Sequence, residues 1–375
     1  MGSSWPRVEG KDGCVQDMLR TLGIETSCDE TAVAVLDGEG RIEVNLLASQ
    51  IAAHAPFGGV VPELASREHL RALPVLVERA LESAAAPLEL VAVTTGPGLI
   101  GALLVGVRFG AALAWGSSLP LAAVDHLEGH LISPFLDLEG APARPEPDRV
   151  LALVASGGHS SWYLMEGGGR LRLGRTRDDA AGESFDKVAQ VLGVGYPGGP
   201  ALDRLARGGN AAAVPLPRPR LKDAPFDFSF SGLKSAAIRW IRDHGLAAAG
   251  EDGGAAVADF AASFEAAVVD QLMGPLDELA ARHEPQLVTA AGGVAANTLL
   301  RDRLTAWGLE RGVEILLPAR ALTTDNAAMI ARAGQIRYCG GRRDDARRLD
   351  ARARKAWQPP GMRAAVEFTG EVGDR

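Results

Sequence analysis

The sequence predicts a duplicated α/β protein whose two halves face each other across a cleft. Three observations predict it. Three short strands, then helices alternating with further strands, occur once before residue 140 and again after residue 148. The stretch between them, 140–148, is rich in Pro and charge and reads as a linker. Apolar strands run into glycine turns at Gly96-Pro97-Gly98, Gly157-Gly158 and Gly292-Gly293, and a cleft between paired halves is a common place for ligands. Identity between the halves is negligible, so the duplication rests on pattern alone.

The elements follow in order. Residues 22–27, 31–36 and 42–47 read as strands, and 62–85 as a long helix with Pro62 in its first turn. Residues 90–95 form a buried strand, 101–117 a helix of small residues, 121–124 a strand and 126–135 a helix. After the linker, 150–155, 160–165 and 171–175 are strands. Helices begin at Glu183, Gly199, Gly232 and near Ala255. A strand at 286–290 leads through Gly-Gly into a helix from Val294, then come a strand at 313–317 and a helix at 324–338. The expected units are an irregular extension at 1–19, a first lobe at 20–147, a second at 148–340 and an Arg-rich tail at 341–375. The extension either is disordered and dispensable or reflects a start codon upstream of Met18.

Composition narrows the class. With 39 basic and 47 acidic residues the net charge is −8, so any contact with nucleic acid must come from local patches. Two exist: Arg204, Arg207, Arg218, Arg220 and Lys222 around a Pro-rich loop, and Arg342, Arg343, Arg347, Arg348, Arg352, Arg354 and Lys355 in the tail. In the tail, interleaved Asp344, Asp345 and Asp350 suit a solvated helix equally well. Three cysteines without a CxxC pair form no disulfide framework, which points to a reducing cytoplasm. Neither a membrane span nor the apolar core of a signal peptide is expected.

Five motifs carry possible chemistry. Gly23 to Thr31 is a polar hairpin that suits phosphate binding, or is a plain β-turn. Gly157-Gly158-His159-Ser160 follows an apolar strand, and its glycines would let backbone N–H groups approach an anion; an ordinary hairpin turn is the alternative. At Gly292-Gly293 a strand meets a helix start, another place for an anion, with Asn297 expected within the first helical turn. Asp186 and Asp203 lie near helix starts, as ribose partners or as caps. His126 and His130 are spaced i, i+4 on one helix face, so both imidazoles can reach one metal ion or pair by coincidence. The spacing differs from the zinc-protease HExxH, because Leu127 stands where the Glu would be. Asp325 is the acidic third ligand to consider. His54 and His69 flank a Gly-Gly loop, as further metal ligands or, in preference, as residues that shape a substrate loop or make structural hydrogen bonds.

Together these stretches resemble the tRNA adenosine threonylcarbamoyltransferase family. The matching segments are GIETSCDETAVAV (23–35), HAPFGGVVPELASREH (54–69), TGPGLIGALLVG (95–106), DHLEGH (125–130), SGGHS (156–160), DDAAGESFDKVAQVLGVGYPGGPALD (178–203), FSFSGLKSA (228–236), GGVAAN (292–297) and TTDNAAMIA (323–331). The resemblance implies an actin-like, Hsp70-like ATPase fold. It implies a divalent metal, iron ahead of zinc, on His126, His130 and Asp325. It implies a nucleotide and substrate site lined by Val154, Ala155, Ser156, Gly157, Gly158, Asp186, Gly199, Asp203 and Asn297. Ala155 stands where relatives are expected to run directly from Val to Ser. The implied partners are tRNA, threonylcarbamoyl-AMP, a paralogous scaffold subunit and a small ATPase. The general base is left open among His54, Glu25 and a metal-bound water. A metalloprotease, a small-molecule kinase of the same fold and a non-catalytic assembly subunit are the rival readings.

Overall fold

The computed structural model describes residues 19–247 and 254–353. The expected extension, residues 1–18, and the tail from Arg354 onward lie outside them. Two five-stranded sheets repeat one topology. In the first, β1 (Thr21–Glu25), β2 (Glu30–Leu36) and β3 (Ile42–Ser49) form an antiparallel meander, and β4 (Leu90–Gly96) and β5 (Leu121–Asp125) extend it parallel to β1. In the second, β6 (Arg149–Ala155), β7 (Ser160–Glu166) and β8 (Gly169–Arg175) repeat the meander, and β9 (Leu287–Ala291) and β10 (Glu314–Leu316) run parallel to β6. The orders β3-β2-β1-β4-β5 and β8-β7-β6-β9-β10 therefore correspond strand for strand.

The first half carries the helices α1 (Ile51–His54), α2 (Pro62–Ser83), α3 (Ile100–Gly116) and α4 (His126–Ile132). The second carries α5 (Ala181–Leu192), α6 (Gly198–Leu205), α7 (Ser231–Asp243), α8 (Gly254–Met273), α9 (Leu276–His283) and α10 (Thr298–Arg311), and α11 (Ala327–Cys339) follows. The short helix α9 was not foreseen. Strand β2 shows how the first sheet divides its faces, because successive side chains alternate. Val33 and Val35 pack with Leu73 of α2 and Val107 of α3, whereas Ala32 and Ala34 pack with Met329 and Ile330 of α11.

Helix α11 was expected inside the second lobe, but it lies on the first sheet. Small residues make this fit: a Cβ added at Gly23 would stand 2.2 Å from the Ala327 carbonyl oxygen, so strand and helix backbones nearly touch. The chain thus returns to its first layer, and residues preceding α11 face α4. Two further details differ from expectation. Residues Gly293–Ala296 make a single 3-10 turn and α10 begins at Thr298, with Asn297 as its N-cap rather than within its first turn. The tail over 341–353 is not a helix but a strap along the first sheet. Asp344 accepts a hydrogen bond from the Ala123 N–H at 2.9 Å, and the Arg352 N–H donates to the Thr95 carbonyl at 2.8 Å. Among the described residues, no helix is long and apolar enough to cross a membrane.

Candidate active site

The polar hairpin between β1 and β2, the start of α4 and the turn before α11 meet at one place. Asp125 caps α4 by accepting from the Leu127 N–H at 2.9 Å, which sets His126 and His130 on the helix face turned toward Asp325. Asn326 caps α11 through the Met329 N–H at 2.9 Å and so fixes the turn that carries Asp325. Asp325 Oδ1 stands 3.4 Å from His126 Nε2 and 3.2 Å from His130 Nε2. The two rings meet edge to face, 4.6 Å between centroids.

These three side chains fit a cation. One ligand atom from each lies within 4.8 Å of the others. His130 is fully buried, and neither of its ring nitrogens makes a hydrogen bond, although Asp325 Oδ1 lies 3.2 Å from Nε2. A buried imidazole without partners is costly unless something else satisfies it. The surroundings also favour positive charge. Burial opposes a charged His126, yet Asp325 and Glu25 outweigh it and hold its pKa well above the ordinary value. Burial likewise opposes an ionised Asp325, and the two imidazoles outweigh that and keep it ionised. All three side chains stand on the first layer, although Asp325 falls within residues 148–340, the expected second lobe.

Two residues considered as general bases occupy other positions. Glu25 is completely buried; its carboxylate receives His126 Nδ1 at 3.0 Å, the Thr94 hydroxyl at 2.6 Å and the Ser27 N–H at 2.5 Å. It is an orienting partner of His126, a role the sequence reading missed because nothing local links positions so far apart. His54 is also completely buried, with Nε2 against Gln50 Oε1 at 3.1 Å and Nδ1 accepting from the Val61 N–H at 3.3 Å. It braces the loop between α1 and α2. His69, bonded to Thr31 at 2.8 Å and to the Cys28 carbonyl at 3.0 Å, braces the hairpin.

The sequence matches the family described as tRNA N6-adenosine threonylcarbamoyltransferase over residues 41–332. The chain belongs to this family. A relative of that name from Sorangium cellulosum is 48% identical, covering 87% of this chain and 94% of its own. Another from Thiobacillus denitrificans is 50% identical, covering 85% of this chain and 91% of its own. Among solved structures, full-length HypF in its phosphate- and nucleotide-bound form has a TM-score of 0.56 at 13% identity, over 86% of this chain and 56% of that one. HypF of T. kodakarensis has a TM-score of 0.56 at 16% identity, over 87% of this chain and 49% of that one. These likenesses show the fold, a duplicated actin-like architecture.

Within this threonylcarbamoyltransferase fold, the other residues named from the sequence divide into two groups. Val154 and Ala155 are completely buried on β6, backbone included, so neither lines an open site as the resemblance had implied. Ser156, Gly157 and Gly158 form the β6–β7 turn, with open space beside both glycines, and Gly199 is equally open at the start of α6. Asp186 accepts from the Gly198 N–H at 2.7 Å and so fixes the turn into α6. Asp203 accepts from the Thr298 N–H at 2.7 Å, and Asn297 caps α10 through the Leu300 N–H at 2.9 Å. Asp186 stands midway along α5 and Asp203 late in α6 rather than near helix starts, and each accepts from the first N–H of another helix. His159, unassigned from the sequence, feels the charges of His126, His130 and Asp325, and burial with those two imidazoles pushes its pKa down to about 4. Tyr196 donates its hydroxyl to Asp29 at 3.1 Å, a contact between the second half and the first-half hairpin.

Proposed function

We propose that this chain transfers the threonylcarbamoyl group of threonylcarbamoyl-AMP to N6 of adenosine 37 in tRNA, with His126, His130 and Asp325 holding a divalent metal. The observation that carries the reading is the convergence of those three side chains from α4 and the α11 turn, inside the fold of a threonylcarbamoyltransferase family. In the reaction, the N6 amine attacks the carbamoyl carbon. The bond from that carbon to the AMP phosphate oxygen breaks, AMP leaves with the electron pair, and N6 gives up one proton. When bound, the ion would supply Lewis-acid polarisation of acyl and phosphate oxygens; a His/His/Asp set suits iron or zinc, and the family resemblance favours iron.

The chain's own residues contribute binding and orientation. The open backbone at Gly157, Gly158 and Gly199 lets N–H groups approach the phosphate. Asp186, Asp203 and Asn297 frame the nucleoside side of the donor. Glu25 fixes the His126 ring so that Nε2 faces Asp325. Adenosine 37 lies in a loop and can be splayed out without breaking a duplex. A paralogous scaffold subunit and a small ATPase are the proposed partners, and the cytoplasm the proposed place. A protease reading finds no support, because Glu128 is turned away to Arg337 at 2.8 Å.

Incubating the protein with threonine, bicarbonate, ATP, tRNA, the adenylate-forming enzyme and the two proposed partners tests the reading. Nucleoside analysis is expected to show threonylcarbamoyladenosine. Unmodified adenosine under metal-replete conditions would overturn it.

A further inference from the structure

One buried carboxylate outside the metal cluster has no part in the chemistry above. Glu265 sits on α8, a helix whose buried face is mostly Ala, Val and Phe, and is only 6% exposed. Its Oε1 accepts from Asn297 Nδ2 at 2.5 Å. The same Nδ2 lies 3.3 Å from Asp203 Oδ1. Asn297 Oδ1 is already engaged as the cap of α10, so its orientation is fixed and both amide hydrogens point at carboxyl groups. Three elements, α6, α8 and α10, are thereby tied through one amide.

We propose that Glu265 is a positioning residue for the nucleoside part of the donor: it binds the Asn297 amide and shares a hydrogen bond with Asp203, holding both at the edge of the site. This rests on the reading above that Asp203 and Asn297 frame the donor. Two carboxylates on one buried amide repel each other if both are ionised, whereas a single proton between them makes a bridge. Glu265 then donates its O–H to Asp203 while its carbonyl oxygen accepts from Asn297. Burial, opposed by the Asn297 bond and reinforced by the Asp203 charge, pushes the Glu265 pKa up to about 7. The charged groups acting on it are Asp203 from α6 and Arg303 from α10; Arg303 is itself paired with Asp270. A glutamine reproduces the protonated form, since its oxygen accepts from Asn297 and its NH2 donates to Asp203 at every pH.

The test is AMP binding by calorimetry, on the full chain with its metal, one pH unit below and one above the Glu265 pKa of about 7. Wild-type affinity is expected to weaken several-fold at the higher pH, relative to the E265Q protein, which supplies the baseline for titration of the AMP phosphate. E265A is expected to bind AMP about tenfold more weakly at both pH values, the size of one lost buried hydrogen bond, with tRNA affinity unchanged. The inference is overturned if wild type and E265Q share one pH profile, if E265Q is as weak as E265A, or if wild type binds no AMP. Should E265A fail to fold, the wild-type and E265Q profiles decide alone. Wild type that binds AMP with this pH dependence yet forms no threonylcarbamoyladenosine overturns the transfer reading and leaves the role of Glu265 standing.

Discussion

His126 places Nδ1 3.0 Å from the Glu25 carboxylate, which leaves Nε2 facing Asp325 at 3.4 Å. Glu25 is held in turn by Thr94 and by the Ser27 backbone. The orientation of the first histidine is therefore set from β1, and the second histidine follows from helix geometry, four residues on.

Replacing Glu25 with Gln should weaken that orientation without emptying the space. Loss of a residue that orients a metal-bound histidine typically costs about 10–100-fold in metal affinity. A metal titration of the Glu25→Gln protein is expected to show a loss of that size, with the fold retained. Wild-type affinity would mean that the ring is held by packing alone.

Gly23→Ala and Asp325→Ala should separate the metal from the fold. An alanine at 23 meets the Ala327 oxygen at 2.2 Å and the Ala331 nitrogen at 2.8 Å. Helix α11 must shift and carry Asp325 with it, so both stability, by roughly 1–3 kcal/mol, and metal binding fall. Asp325→Ala, like His126→Ala, should abolish metal binding and transfer while thermal unfolding stays near that of chelated wild type. If chelation itself unfolds wild type, the metal is structural and this account fails.

For tRNA, Arg220→Glu is the cleaner probe of the basic loop. Arg218 is engaged with Asp270 at 2.5 Å, and Arg303 shares the same carboxylate. Arg218→Glu would place like charges together and lower stability as well as affinity. Loss of one phosphate contact at Arg220 should flatten the log–log salt dependence of tRNA binding by about 0.7–0.9. An unchanged slope would remove this loop from the interface.

Glu265 also predicts a pH dependence of stability. Its folded-state pKa is raised from 4.5 to about 7, so the folded protein retains a proton that the unfolded chain releases. The stabilisation is complete below about pH 4.5 and is lost as pH rises through about 7, a change of order 1–3 kcal/mol. Denaturant unfolding across that window should show the decline in wild type and not in E265Q. Parallel curves would mean that the carboxyl ionises normally.

Much of this was written in local pattern. The alternation of Val and Ala in β2, the Gly-Gly turns and the repeated order of strands and helices specify two similar sheets, because side-chain period and turn chemistry are properties of neighbouring residues. The i, i+4 spacing put His126 and His130 on one face for the same reason. The motif resemblance supplied Asp325. What tertiary structure alone decided was which sheet an apolar helix covers. Helix α11 has apolar residues suited to either layer, and close approaches at Gly23, Gly129 and Gly334 seat it, with Asp325, on the first. Glu25 and Glu265 were beyond the sequence for a related reason. A buried carboxylate is defined by what surrounds it, and its partners here stand 101 and 32 residues away.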